Sequence, residues 1–148
     1  MNEVLYNAYV KILKEELLPA MGCTEPIAVA YAAALVRKTL GTIPQSAEVH
    51  VSANIIKNVK SVVVPHTGGM RGIDAAVAAG IIAGNADREL EVLSDVNEEE
   101  VRIMAHYLKQ TPISIAASDN GYIFDIQIRV ANRAKAMAAA GSDARMSG

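Results

Sequence analysis

Three short stretches of this sequence hold residue types able to do chemistry. The first is Met21-Gly22-Cys23-Thr24-Glu25-Pro26, which contains the single cysteine. Cys23 stands just before a predicted helix start with Thr24 as N-cap. Unpaired amides and the helix dipole there favour an anion, and so a thiolate that can act as base or nucleophile. The second stretch is Pro65-His66-Thr67-Gly68-Gly69-Met70-Arg71-Gly72. Glycines leading into a helix let backbone N–H groups approach a carboxylate or phosphate closely, Arg71 can fork onto a carboxylate, and His66 can move a proton. This loop lacks the Gly-Lys-Ser/Thr of a nucleotide phosphate loop and fails the spacing of a dinucleotide fingerprint. The third is Ser52-Ala53-Asn54-Ile55-Ile56-Lys57-Asn58, where two carboxamides and an ammonium at a strand end suit an amino-acid ligand.

Each stretch also has a purely structural reading. A lone cysteine behaves as a small buried hydrophobe. A glycine turn can simply join a strand to a helix, and Asn and Lys at a strand end serve turns and surface. His50 and His106 have no partner at metal-ligand spacing, so both read as structural. Glu98-Glu99-Glu100 reads as a solvated helix start. No metal-ligating set is expected in this chain.

The elements that must position these residues follow from hydrophobic period. Apolar residues Val4, Leu5, Ala8, Tyr9, Ile12, Leu13, Leu17 and Leu18 predict a helix over Val4–Leu18, ended by Pro19. A second helix runs from Pro26 to about Leu40 and is apolar nearly all round, which predicts burial. Glu48–Ala53 alternates as a half-buried strand, Ile55–Val59 is ambiguous between strand and helical turn, and Ser61–Val64 is a β-branched run ended by Pro65. A third helix of Ala, Val and Ile spans Ile73–Ile82. Asp95 with Glu98 fits a capping box opening a fourth helix to about Lys109. Ile113–Ser118 and Tyr122–Val130 flank Asp119-Asn120-Gly121, a hairpin signal.

These elements predict an α+β fold, with buried Ala-rich helices packed on a mainly antiparallel sheet in the order ααββααββ. Residues 1–130 form one domain, and 131–148 read as a weakly structured tail. The composition agrees: 148 residues, 51% hydrophobic and 20% charged, with 25 alanines, one phenylalanine and no tryptophan. That excludes a disordered chain and implies close helix packing. A net charge of −2 gives no reason to expect nucleic acid or an anionic membrane as partner. The longest apolar runs are about half of the roughly 20 residues a spanning helix needs, and Met1–Tyr9 lacks a basic apolar leader. One cysteine excludes an internal disulfide and a self-contained cluster site. The expectation is a soluble cytoplasmic protein.

Similarity takes the reading further. The run from Glu15 to Ala28, centred on Gly22-Cys23-Thr24-Glu25-Pro26, resembles the opening of the L-cysteine desulfidase family, related to the alpha chain of iron–sulfur L-serine dehydratases. Ser52–Asn58, Val63–Gly69 and Gly80–Leu93 agree with that family in order and spacing. The resemblance covers roughly residues 10–130. It implies a lyase that uses a [4Fe-4S] cluster to eliminate the β-substituent of L-cysteine or L-serine, giving pyruvate, ammonia and sulfide or water. Cys23 then matches the family's active-site cysteine. Thr24, Glu25, Asn54, Lys57, Asn58, His66, Thr67, Gly68, Gly69 and Arg71 match a substrate-binding set.

Family members are far longer and hold their cluster with cysteines in the C-terminal part, which this chain lacks. The resemblance therefore implies either the N-terminal piece of a longer protein or a shortened relative, in both cases inactive alone and holding no cofactor, whose partners are an amino-acid substrate and the missing C-terminal half. Self-association into a homo-oligomer through apolar surface is also expected. The alternative function is a non-catalytic module that binds a small anion or amino acid on the His66–Gly72 loop.

Overall fold

The computed structural model describes residues 6–13, 25–118 and 125–132. It is an α+β layer in which Ala-rich helices cover one face of a four-stranded, mostly antiparallel sheet. Strand β1 (Tyr6–Leu13) leads to helix α1 (Glu25–Leu40), then β2 (Ser46–Ser52) and a short α2 (Ala53–Val59). Helix α3 (Ile73–Ala83), a 3-10 turn over Ala86–Glu91 and α4 (Glu98–Gln110) precede β3 (Ile113–Ser118) and β4 (Asp125–Asn132).

The strand order is β1-β4-β2-β3. Strand β4 pairs antiparallel with both β1 and β2, while β2 and β3 are parallel. It follows that β1, β2 and β3 all run the same way, and β4 threads back between the first two. On the helix side the sheet presents Ala8, Ala47, Val49, Val51, Ile126, Ile128 and Val130, all buried. The opposite face is polar. There Tyr9 donates to Gln127 Oε1 at 2.9 Å, and the Arg129 guanidinium lies 4.8 Å from the Tyr9 ring centroid.

The helical layer rests on small side chains. Helix α1 buries Ala28, Ala30, Ala32, Ala33 and Ala34, and α3 buries Ala75, Ala76, Ala78 and Ala79. A Cβ placed on Gly80 would come within 2.2 Å of the Ala30 carbonyl oxygen, so α1 and α3 touch backbone to backbone. Among the described residues no helix is long and apolar enough to cross a membrane.

Several sequence expectations need correction. The helix expected over Val4–Leu18 is a strand over Tyr6–Leu13, so the order opens βα rather than αα. The same apolar residues satisfy two periods: Ala8 and Val10 alternate with Tyr9 and Lys11, and pairing with β4 selects the period of two. The Ser61–Val64 run joins no sheet; only Val63 makes an isolated bridge, to Arg71. Ile113–Ser118 and the later run are strands, but β2 lies between them, so they do not form the expected hairpin. Helix α4 is capped by Asn97 with Glu100, not by Asp95 with Glu98; Asp95 instead accepts from Arg88 Nη1 at 2.7 Å. Ala131 and Asn132 belong to β4, and the rest of the expected tail, 133–148, lies outside the described residues.

Candidate functional site

Three parallel strands end together, and their carboxyl ends are where an α/β arrangement leaves backbone groups and helix starts free to meet a ligand. Strand β2 passes directly into α2, which places Asn54, Lys57 and Asn58 at that end of the sheet, all exposed. Glu25 opens the 16-residue helix α1 and is half-buried. The Asn58 side chain donates from Nδ2 to Glu25 Oε2 at 3.3 Å. That contact joins two of the sequence stretches, 33 residues apart along the chain.

The glycine loop adjoins the same place. Its Arg71 donates from Nη1 to the Ser61 carbonyl at 2.8 Å, and a Cβ on Gly72 would lie 3.4 Å from the Lys60 carbonyl. Lys60 and Ser61 directly follow α2, so the loop's exit is bound to the turn just after the helix that carries Asn58. The stem closes as a small antiparallel ladder, Val64 N–H to Met70 O at 2.8 Å and Gly72 N–H to Val62 O at 3.2 Å. The turn within it needs left-handed backbone at His66 (φ 64°), Gly68 (φ 73°) and Gly69 (φ 100°). That conformation explains the glycines through local geometry as well as through ligand access.

The site residues therefore divide by orientation. Lys57, His66 and Arg71 are exposed cations or proton carriers, and Glu25 is the one carboxylate of the set. Thr67 is fully buried: its hydroxyl donates to Val64 O at 2.7 Å and accepts from the Met70 N–H at 3.1 Å. It holds the loop in shape from within. Gly68 is held against α4, where a Cβ would lie 3.2 Å from Val101 Cγ1. Cys23 and Thr24 lie outside the described residues.

Asp125, which opens β4, escaped the sequence reading. In the ladder register the pairs Leu13–Asp125 and Ser52–Ser118 fall at the same end of the sheet as the three strand termini. The Asp125 carboxylate is buried and accepts from Gln127 Nε2 at 2.9 Å. In sequence Asp125 is one polar-face residue of the run Tyr122–Val130, and only the register reveals its place at the end of the sheet. A separate cleft of about 440 Å³ sits at the far end of α1, lined by Arg37, Lys38, Asn85 and Asp87 among others. Arg37 lies twelve positions along α1 from Glu25, a span of about 18 Å, so the cleft and the polar cluster are distinct places. Among the described residues no group of three His, Cys, Asp or Glu side chains could hold a metal ion.

Fold and site together define an α+β domain with a polar cluster at the carboxyl ends of parallel strands. Among curated proteins this chain is similar to UPF0597 proteins. It is 55% identical over 123 residues to one from Desulfitobacterium hafniense, matching 83% of this chain and 29% of that protein. The UPF0597 protein of Treponema denticola is 50% identical over 123 residues, with 83% and 28% covered. That of Fusobacterium nucleatum is 45% identical over 130 residues, with 88% and 30% covered. The chain thus spans under a third of the length of these relatives. No family model matches it.

These relatives overturn the resemblance drawn from the motifs. They carry the UPF0597 name and not that of an L-cysteine desulfidase, an L-serine dehydratase or any iron–sulfur lyase. The Gly-Cys-Thr-Glu-Pro block and its companions are thus no warrant for that family's cluster or reaction.

Proposed function

We propose that this stretch forms the wall of a binding site for a small amino acid or a related carboxylate, without itself performing a chemical step. Glu25 receives the ligand's ammonium group, and Asn58 holds that carboxylate in place. Lys57 and Asn54 receive the ligand's carboxylate from the exposed face of α2. His66 and Arg71 form the polar rim on the loop side, Thr67 keeps the loop in shape, and Gly68 and Gly69 permit its tight turn. A single cysteine suits a reducing compartment, and we place the protein in the cytoplasm.

The observation that carries this reading is the Asn58–Glu25 contact, which brings together residues singled out separately for their chemistry. Calorimetric titration of the chain with L-amino acids and with the matching deaminated acids tests it. Saturable binding is expected to weaken about tenfold or more, roughly 1.4 kcal/mol, in Lys57→Met and in Asn58→Ala. Both positions are exposed, so circular dichroism should stay unchanged. Binding that ignores both substitutions, or no saturable binding at all, would refute the assignment.

A further inference from the structure

Strand β3 forms one border of the sheet. It has β2 on one side and, among the described residues, no strand on the other. The Ala47 N–H donates to Pro112 O at 3.0 Å, and this bond sets the parity of the parallel ladder. Ser114 and Ala116 turn their backbone groups toward β2, whereas Ile113, Ile115 and Ala117 present theirs outward. Ser114, Ile115, Ala116 and Ala117 are all exposed, so both faces of the strand are open, and Ile115 is an exposed large hydrophobic at 38%.

Free edges in folded proteins are ordinarily guarded by charge, proline or a bulge. The segment Ile-Ser-Ile-Ala-Ala-Ser has no charge and no proline. An unguarded edge of this kind is built to be covered. Two occupants compete. A second copy pairing edge to edge over six residues buries well short of the ~800 Å² per partner typical of stable association. A strand on the same polypeptide needs no such area, because its effective concentration is already about millimolar. The matched relatives carry about seven tenths of their length outside the stretch that aligns here, since 29%, 28% and 30% is covered.

We propose that the outward edge of β3 is the docking site of a β-strand supplied by that remainder of the longer polypeptide. The docked strand is apolar on the side that covers Ile115 and Ala117, and small or polar on the side of Ser114 and Ala116. It extends the sheet beyond four strands and closes the row of outward N–H and C=O groups.

Hydrogen exchange compares this chain with the intact Desulfitobacterium hafniense relative. Amides at the positions of Ile113, Ile115 and Ala117 should exchange at least about 100-fold more slowly in the intact relative, while those of Ser114 and Ala116 are protected in both and serve as reference. Equal, fast exchange of the three outward amides in the intact relative overturns the proposal. So does protection in this chain that rises with its concentration, which assigns the edge to a second copy. Ile115→Lys supplies an independent readout: it should leave the melting temperature of this chain nearly unchanged and lower that of the intact relative when placed at the matching position. Equal shifts in both count against the docked strand.

Discussion

A methyl group at position 80 would sit 2.2 Å from the Ala30 carbonyl oxygen and 2.8 Å from Ala33 Cβ. Gly80→Ala exchanges a helix-propensity gain of about 1 kcal/mol for overpacking that costs about 1–3 kcal/mol. With rigid backbone as the obstacle the second effect wins, and the urea midpoint should fall with an unchanged m-value. The same reasoning at Thr67 gives a different signature. Thr67→Val keeps the volume but strips the hydrogen bonds to Val64 O and Met70 N–H, a loss of about 1–3 kcal/mol at a buried site. Thr67→Ser should recover most of that stability in chemical denaturation. Sequence alone singled out Thr67 by its company of glycines, yet a threonine three residues after a carbonyl can as easily bond its own backbone. Composition of the loop was legible in the residues, but which of them turn inward was not. Lys57 and Asn58 were legible as a pair, whereas the partner of Asn58 was hidden by lying 33 positions away.

Elements with one consistent signal match their sequence patterns closely. Helix α1 ends at Leu40, with Gly41 following in left-handed backbone (φ 87°), and α3 starts at Ile73 after Gly72. Where two periods coexisted, as in β1, partner strands decided, and the partner of β1 lies more than a hundred residues away. Helix α4 shows how one side chain couples an element to the sheet. Tyr107 is buried and donates its hydroxyl to Pro44 O at 2.7 Å, just before β2. Burial pushes its pKa up from 10.0 to about 12, against a smaller lowering by Thr111. The folded state therefore keeps a proton that the unfolded chain releases near pH 10. The resulting stabilisation is fully present below pH 10 and is lost as pH rises toward about 12. Tyr107→Phe should remove this alkaline fall while costing about 1 kcal/mol at neutral pH through the lost hydrogen bond. Thermal melts of both proteins from pH 8 to 12 check the sign: a wild-type melting temperature that holds steady through pH 12 would contradict it.

The sheet is closed by its last strand. Strand β4 pairs with β1 through Tyr6–Asn132 and with β2 through Ser46–Ala131, so the first and second strands have no described contact in the ladder except through the final one. Ile126, Ile128 and Val130 also fill the middle of the core beneath α1. A chain stopped after Ser118 keeps α1, α3, α4 and the β2–β3 pair, yet its β1 has no ladder partner and its helices face a gap. Such a truncation should lose cooperative unfolding altogether, whereas a chain stopped after Asn132 should retain it; calorimetric melts of the two separate these outcomes. Pairing across more than a hundred residues must also wait for loop closure, so refolding belongs to the milliseconds-to-seconds range of non-local topologies. A hairpin between β3 and β4, as the Asn120-Gly121 pair suggested, would let the C-terminal strands form first and on their own. Because β2 separates them, β3 and β4 can be ordered only together with β2. Stopped-flow refolding should accordingly show β-sheet signal rising in the same phase as the near-ultraviolet signal of Tyr107 packing, and an early β-sheet phase would mean that the two strands can pair without β2.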